Sequence, residues 1–483
     1  MTDRRSDDPA RSSRRRQPRG DGHGTRGHLL AAVLLIGIAS AVRAAEMTDE
    51  QVLAGAEERI ERYRKADVRL TIRLSGGEPA SHVPVRIEQG RHQFLFGSNV
   101  FMLGRCRVPE HNRLYEEQFA RLLNYATVPF YWWSYEPEAG KPRHEETEAF
   151  LGWCRRHRIA VKGHPLMWNF VDPRWLPDDL SAIRRLQLER IEDCVGRFRD
   201  IGYWDVVNEA VKFDRPEILR NAPKLTAAVH EVGKMEFVRQ AFRAARAANP
   251  DAVLLINDYI TTEEYATEVI GRLTDESGRP LYDVIGIQCH QHGGTWGAAH
   301  TWAICERFSR FGVPLHFTEA TILSGQQGWN LAETRPAFDW ASTPEGEARQ
   351  AQEVVRFYTV LFSHPAVEAI TWWDFADQGA WQRAPAGLLR RDMSPKPAYG
   401  ELLRLVKDRW WTRAERVTDD EGTCEFRGFG GDYVVRARIG GRVYEGTFTV
   451  RAPSRRLGRE GGGPQRPENR ITVRLTGTGP AEK

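Results

Sequence analysis

The sequence predicts an α/β fold: a closed barrel of parallel strands, with an accessory β-sandwich-like module built from its two flanks. Eight short apolar runs (94–97, 125–128, 160–164, 204–207, 253–257, 284–288, 315–318 and 369–373) alternate with stretches of helical period such as 182–198 and 234–248. Eight such repeats fit a TIM (β/α)8 barrel better than an open doubly wound sheet. On either side of this region the apolar period changes from helical to two.

Taken in order, residues 1–45 begin with a polar, Arg-rich leader, and an apolar run at 29–42 follows it. The run is short for a transmembrane helix and suits the core of a signal peptide, so export or a periplasmic location is expected, with no stable membrane span after processing. An uncleaved anchor is the alternative. Thr48-Asp49-Glu50-Gln51 has the form of a capping box and opens a helix reaching about Arg64. In the segment 46–93, Val68, Leu70, Ile72 and Leu74 alternate with polar residues, Gly76-Gly77 marks a turn, and Val83, Val85 and Ile87 alternate again. This predicts a small antiparallel element ahead of the barrel, which spans 94–410. In the tail, 411–483, residues 433–439 and 443–450 predict a hairpin across Gly440-Gly441, and 471–475 a last strand. The Arg/Gly/Pro-rich stretch 451–469 has a disordered composition. Neither β-rich flank buries both its faces alone, which favours one joint module over two independent appendages.

Composition bounds the function. The 483 residues are 41% hydrophobic and include 15 Trp, 13 Tyr and 21 Phe, enough for a sizeable core. A net charge of +4, with the basic excess near the ends, does not argue for nucleic-acid binding. The six cysteines, at 106, 154, 194, 289, 305 and 424, contain no CxxC pair, so the spacing supports neither zinc nor iron–sulfur ligation. No GxGxxG or P-loop pattern supports a nucleotide cofactor.

The chemistry is expected where strands end. Residues 204–207 form an apolar run closed by Asn208 and Glu209, and 315–318 end in Glu319. A carboxylate at the C-terminal mouth of a buried parallel strand is costly to desolvate. One such glutamate is explained by a salt bridge; two, from two barrel strands facing one cleft, are the equipment for hydrolysing a glycosidic bond. His164, Asn257-Asp258, Gln288, His290 and Trp373-Asp374 add polar groups at other strand ends, the pattern of an active barrel face.

These motifs together resemble family 10 glycoside hydrolases, best known as endo-β-1,4-xylanases. The resemblance spans about Phe94 to Val406. It rests on Gly163-His164-Pro165-Leu166-Met167-Trp168, Trp204-Asp205-Val206-Val207-Asn208-Glu209, Gly286-Ile287-Gln288-Cys289-His290, His316-Phe317-Thr318-Glu319, Thr371-Trp372-Trp373-Asp374 with Trp381, and Pro395-Lys396-Pro397-Ala398-Tyr399. It implies Glu209 as general acid/base, Glu319 as nucleophile and Asn208 near the sugar 2-hydroxyl. His164, Gln288 and His290 would shape the site around the nucleophile, and Trp168, Trp373 and Trp381 would line the sugar. A retaining, cofactor-free and metal-free enzyme acting as a monomer on a polysaccharide is the corresponding expectation. Glu209 has no cation in its motif, which would leave its carboxyl free to hold a proton. The departures concern specificity. The family's Glu-Asn pair and following Lys on the second strand align with Val128, Pro129 and Trp132, the Trp-His ending is Trp168-Asn169, and the Asp expected two residues after the nucleophile is Thr321. Loss of those polar contacts should change the substrate, with Trp132 expected to stack on a sugar face there. A binding relative with little turnover, a hydrolase of a non-xylan glycoside and a barrel enzyme of another class are the alternatives.

Overall fold

The computed structural model describes residues 47–327, 340–454 and 467–480. The expected leader, and most of the stretch expected to be disordered, lie outside the described residues. No helix among the described residues is long and apolar enough to cross a membrane.

The barrel is closed by eight parallel strands: β3 (Leu95–Asn99), β4 (Tyr125–Pro129), β5 (Ala160–His164), β6 (Tyr203–Asn208), β7 (Val253–Asp258), β8 (Val284–Gln291), β9 (Leu315–Ile322) and β10 (Val367–Trp372), with β10 pairing both β9 and β3. All eight coincide with the predicted runs. β8 and β9 extend three and four residues beyond expectation because their polar ends continue the ladder, Gln288 opposite Glu319 and His290 opposite Thr321. The register slips between Ile287 and Gln288, and β6 slips similarly against β7 between Asp205 and Val207. A bulge re-aims the side chains that follow it. In β9 the residue that follows the slip is Glu319, and in β6 Val207 and Asn208 follow it, with Glu209 just past the strand end. Inside the barrel, Gly163 sits against the Trp204 ring, where a Cβ would come within 2.3 Å of the indole.

The flanks form one module, as predicted, but not from the predicted pairs. β1 (Lys65–Arg73) lies between β12 (Thr423–Phe429) and β15 (Asn469–Arg474), antiparallel to the first and parallel to the second. β2 (Pro84–His92) lies between β11 (Arg413–Val417) and β13 (Gly431–Ile439), and the sheet continues through β14 (Arg442–Val450) to β16 (Thr476–Pro480). The expected antiparallel pairing of β1 with β2 is therefore wrong. Each crosses to a different sheet, because period-two alternation fixes which face is buried but not the partner. Leu70, Ile72, Val85, Ile87, Val435 and Leu475 fill the space between the sheets. The β13–β14 hairpin turns at Gly440-Gly441, both with positive φ, as predicted.

The leading helix is two, Asp49–Ala54 and Ala56–Arg64, separated at Gly55, with the Thr48/Gln51 capping box in place. Arg64 then turns into the barrel. Its buried guanidinium donates to the carbonyls of Phe362 (2.5 Å), in the last turn of helix Pro344–Ser363, and of His364 (2.5 Å) and Val367 (2.8 Å) just beyond it. A cation there satisfies orphan carbonyls and complements the helix dipole. All six cysteines are free thiols, five of them buried. Arg64→Met should destabilise the protein by roughly 3 kcal/mol, because hydrogen bonds from a buried cation are lost and carbonyls stay unpaired. Urea denaturation checks this, and a loss below about 0.5 kcal/mol, the range of an ordinary surface substitution, would contradict the bracing role.

Candidate active site

Strand ends bring Glu209 and Glu319 to one cleft through a chain of amides. Asn208 Nδ2 donates to Glu209 Oε1 (3.3 Å), and Asn208 Oδ1 accepts from Asn257 Nδ2 (2.8 Å). Asn257 Nδ2 also donates to Glu319 Oε1 (2.9 Å), and Thr318 Oγ1 donates to Asn257 Oδ1 (2.6 Å). Asn257 thus couples the two carboxylates. Glu209 adopts a positive φ of 58°, a conformation that side-chain-bearing residues avoid and that recurs where function holds it.

Glu319 is 5% exposed and its carboxylate is heavily compensated. His290 Nε2 donates to Oε2 (3.0 Å), and His164 Nε2 lies 4.0 Å from Oε1. Burial alone would raise its pKa. The His290 hydrogen bond and the charges of His164, His290 and Lys162 outweigh that and hold the carboxyl below its ordinary value. Behind it, Asp205 Oδ2 takes Lys162 Nζ and His164 Nδ1, each at 2.7 Å, with both Lys162 and Asp205 fully buried. Burial raises the Asp205 pKa, but Lys162 and His164 together bring it below normal. In place of the expected Asp, the Thr321 hydroxyl lies 3.4 Å from His290 Nδ1, so it orients the ring without adding charge.

Glu209 is surrounded differently. Gln288 Nε2 donates to its Oε1 (3.3 Å) and to Asn208 Oδ1 (3.1 Å), so the Gln288 side chain turns to Glu209 although its backbone pairs opposite Glu319. Arg215 Nη2 donates to Oε2 at 2.6 Å, with both side chains mostly buried. The strand-end motif itself holds no cation, but the carboxyl is not left free as expected. The cation comes from the loop six residues on, outside the strand-end motif. Arg215 is fixed by an ion pair with Glu217, a bond to the Lys212 carbonyl (3.3 Å) and the face of Tyr259, 5.4 Å away. Asp258 anchors the same loop by accepting from the Val211 N–H (2.9 Å), and burial pushes its pKa up to about 7.

Aromatic rings wall the cleft. Trp373 packs edge-on against His164 (5.3 Å) and faces His290. Trp381, 40% exposed, lies 4.7 Å from the His290 ring, and Asp374 accepts its backbone N–H (3.1 Å). Burial pushes the Asp374 pKa up to about 7. Trp168 stacks on Phe170 (4.2 Å, 9°), and Trp133 and Tyr131 complete that side at 6.0 and 5.9 Å from Trp168. The structure does not bring Trp132 to this wall. Its ring is buried with Leu176, Ile183 and Leu225, and its Nε1 donates to Glu136. One residue earlier, Tyr131 packs edge-on against His164 at 5.5 Å and feels the charges of Glu319 and Glu209. The residue reaching the centre from this segment is thus Tyr131. Val128 is fully buried in the barrel core, and Pro129 lies at the rim. Asn169 is also turned away, donating to the Phe213 carbonyl (2.7 Å) and Thr226 (2.9 Å).

The charge pattern around Glu319 gives a pH prediction. A nucleophilic carboxylate with a depressed pKa stays ionised as pH falls below the usual glutamate range, and activity is lost only on passing through that lowered value. In His290→Ala the burial effect is less opposed, so the acid limb of kcat/KM should move to higher pH by about one unit. A pH–rate profile on an aryl glycoside checks this; an unmoved acid limb would contradict the role given to His290.

Residues 108–405 match Glycosyl hydrolase family 10. Among curated relatives, anti-sigma-I factor RsgI6 of Acetivibrio thermocellus is 24% identical over 409 residues, 82% of this chain and 48% of that protein. Endo-1,4-beta-xylanase A of Caldicellulosiruptor sp. is 28% identical over 290 residues (56% and 40%), and endo-1,4-beta-xylanase B of Paenibacillus barcinonensis 30% over 251 (49% and 72%). The chain spans about half, or less, of the length of the first two. An endoxylanase retrieved from sugarcane soil metagenome superposes with a TM-score of 0.54 at 23% identity, covering 65% of this chain and 97% of that one. Xylanase 10B from Thermotoga petrophila, in complex with xylobiose, superposes with a TM-score of 0.52 at 19% identity (75% and 98%), and these likenesses establish the fold. With its match covering more than half of its length, the chain belongs to Glycosyl hydrolase family 10.

Proposed function

We propose that the protein is a retaining glycoside hydrolase acting on a β-linked glycan of the xylan type, with Glu319 as nucleophile and Glu209 as general acid/base. The supporting observation is the pair of carboxylates from β6 and β9, linked through Asn208 and Asn257 and set in unlike surroundings. In the first step Glu319 attacks the anomeric carbon while Glu209 gives its proton to the departing glycosidic oxygen. The C–O bond breaks as an ester to Glu319 forms. Asn257 and His290 hold the carboxylate in place for the attack. Arg215 stabilises the anion that proton transfer leaves on Glu209. In the second step Glu209 takes a proton from water, which attacks the same carbon and frees Glu319. The aromatic rings supply apolar faces for stacking sugars.

Two relatives are endo-1,4-beta-xylanases, so xylan is the first substrate to test, together with aryl β-xyloside and β-cellobioside. Release of reducing sugar by the wild type, with Glu319→Ala falling below about a tenth of it, is the expected result. Residual activity above that level would remove Glu319 as nucleophile. The ion pair on Glu209 favours one further reading, a glycan-binding protein with little turnover, because Arg215 bonds one carboxylate oxygen while Asn208 and Gln288 bond the other, which favours the ionised form over a proton donor. Binding of xylan without reducing-sugar release would support it. We further propose export, from the composition of residues 1–45.

Val128 and Pro129, with Trp132 at the position aligned to the lysine turned into a buried cluster, leave the β4 side of the cleft with fewer sugar contacts. Each lost hydrogen bond weakens transition-state binding by about 1 kcal/mol, so three cost on the order of a hundredfold in rate. The value of kcat/KM on xylohexaose should fall about that far below the best substrate of a polysaccharide and glycoside panel. Xylohexaose as the best substrate would contradict this.

A further inference from the structure

Next to the side of the cleft that has lost polar sugar contacts lies a cavity of about 150 Å³. At about 15 Å³ of such space per ordered water it has room for several, enough for one sugar substituent. Phe101 and Tyr131 separate it from the catalytic centre. Phe101 packs edge-on against Trp373 and Tyr131 edge-on against His164, each at 5.5 Å, and both also line the cavity. The opposite wall is charged. Arg105 comes from the loop after β3 and Arg143 immediately precedes helix His144–Arg156. Between them is one carboxylate, Glu146, ion-paired with Arg105 and 3.8 Å from Arg143. Two guanidiniums against one carboxylate leave the lining a net positive charge. Burial, and then the charge of Arg143, hold Arg105 below its ordinary pKa even with Glu146 beside it, so a second anion at the two guanidiniums would offset both effects. The helix that starts here has no side-chain cap and directs the positive end of its dipole to the same place. Both arginines are about half exposed, so a ligand can reach them.

We propose that this cavity binds the carboxylate of an acidic sugar residue, a uronate branching from the glycan on the β4 side of the cleft, with Arg105 and Arg143 as its ligands. A planar carboxylate matches the guanidinium fork, which a hydroxyl or a neutral substituent does not. The proposal names a substrate class for the glycosidase reading and rests on it. It also explains why a cleft with few neutral-sugar contacts would keep its catalytic pair: recognition has moved from the backbone hydroxyls to a charged branch.

The test compares kcat/KM for a linear β-1,4-xylo-oligosaccharide, the same oligosaccharide with a glucuronic acid branch, and one with a neutral arabinose branch. The wild type should prefer the uronate form by about tenfold or more, the range of a charged hydrogen-bonded contact. In Arg105→Ala/Arg143→Ala the ratio should fall to about one, while hydrolysis of an unbranched aryl β-xyloside is retained. The single variant Arg143→Gln, which leaves the Arg105–Glu146 pair intact, should lower the ratio as well, and raised ionic strength should lower it in the wild type. Equal or better hydrolysis of the neutral forms by the wild type would overturn the proposal, as would a ratio that both variants leave unchanged. Calorimetric binding of the same three oligosaccharides to Glu319→Ala separates this question from turnover. If no substrate of the polysaccharide and glycoside panel is cleaved the glycosidase reading fails, yet a uronate preference in binding would still uphold the cavity.

Discussion

A single buried negative charge, the carboxylate of Glu319, sets the terms for the mouth of this barrel. Taking such a group out of water costs several kcal/mol unless neighbours replace its hydration. Here the replacement is spread over three strands: Asn257 on β7, His290 on β8, and His164 and Lys162 on β5. Asp205 on β6 ties Lys162 and His164 together in the barrel interior, where none of the three is appreciably exposed. Each of these groups would be a liability in an apolar core by itself. Assembled, they hold one carboxylate ionised and fix the histidine rings against which Trp373 packs.

The second carboxylate lives under different rules. Glu209 leaves β6 in a left-handed conformation and meets three donors, Asn208, Gln288 and Arg215. Arg215 does more than neutralise it. Held by Glu217, Tyr259 and a backbone carbonyl, the guanidinium is a fixed part of the wall. The loop after β6, and not only the strand ends, therefore builds the surroundings of this carboxylate.

Much of this was legible in the sequence because it follows from periodicity. Buried parallel strands must be apolar along their length, so the eight runs stand out, and a polar residue at their C-terminal ends has few other reasons to be there. The flanking module was legible as period-two alternation, yet its pairing was not: β1 finds partners more than three hundred residues away, and nothing local in Val68–Ile72 names them. The missed site residues share a cause. Arg215 lies in a loop with no period, and Lys162 reads as an unremarkable polar residue in a strand until Asp205 is placed opposite. Trp132 shows the opposite error. Two adjacent aromatics of a short helical turn, Tyr131 and Trp132, point to different sides, and a shift of one position exchanges the buried ring for the one facing the centre.

The account turns on covalent chemistry at Glu319, and the direct measurement is to trap it. Incubation with an activated 2-deoxy-2-fluoro β-xyloside slows the second half-reaction and leaves the sugar on the nucleophile, to be located by peptide mass spectrometry. The account predicts one glycosyl group on the peptide containing Glu319, absent in Glu319→Ala. A glycosyl group on Glu209 or any other residue, or turnover of the natural substrate with inversion at the anomeric carbon, would contradict it.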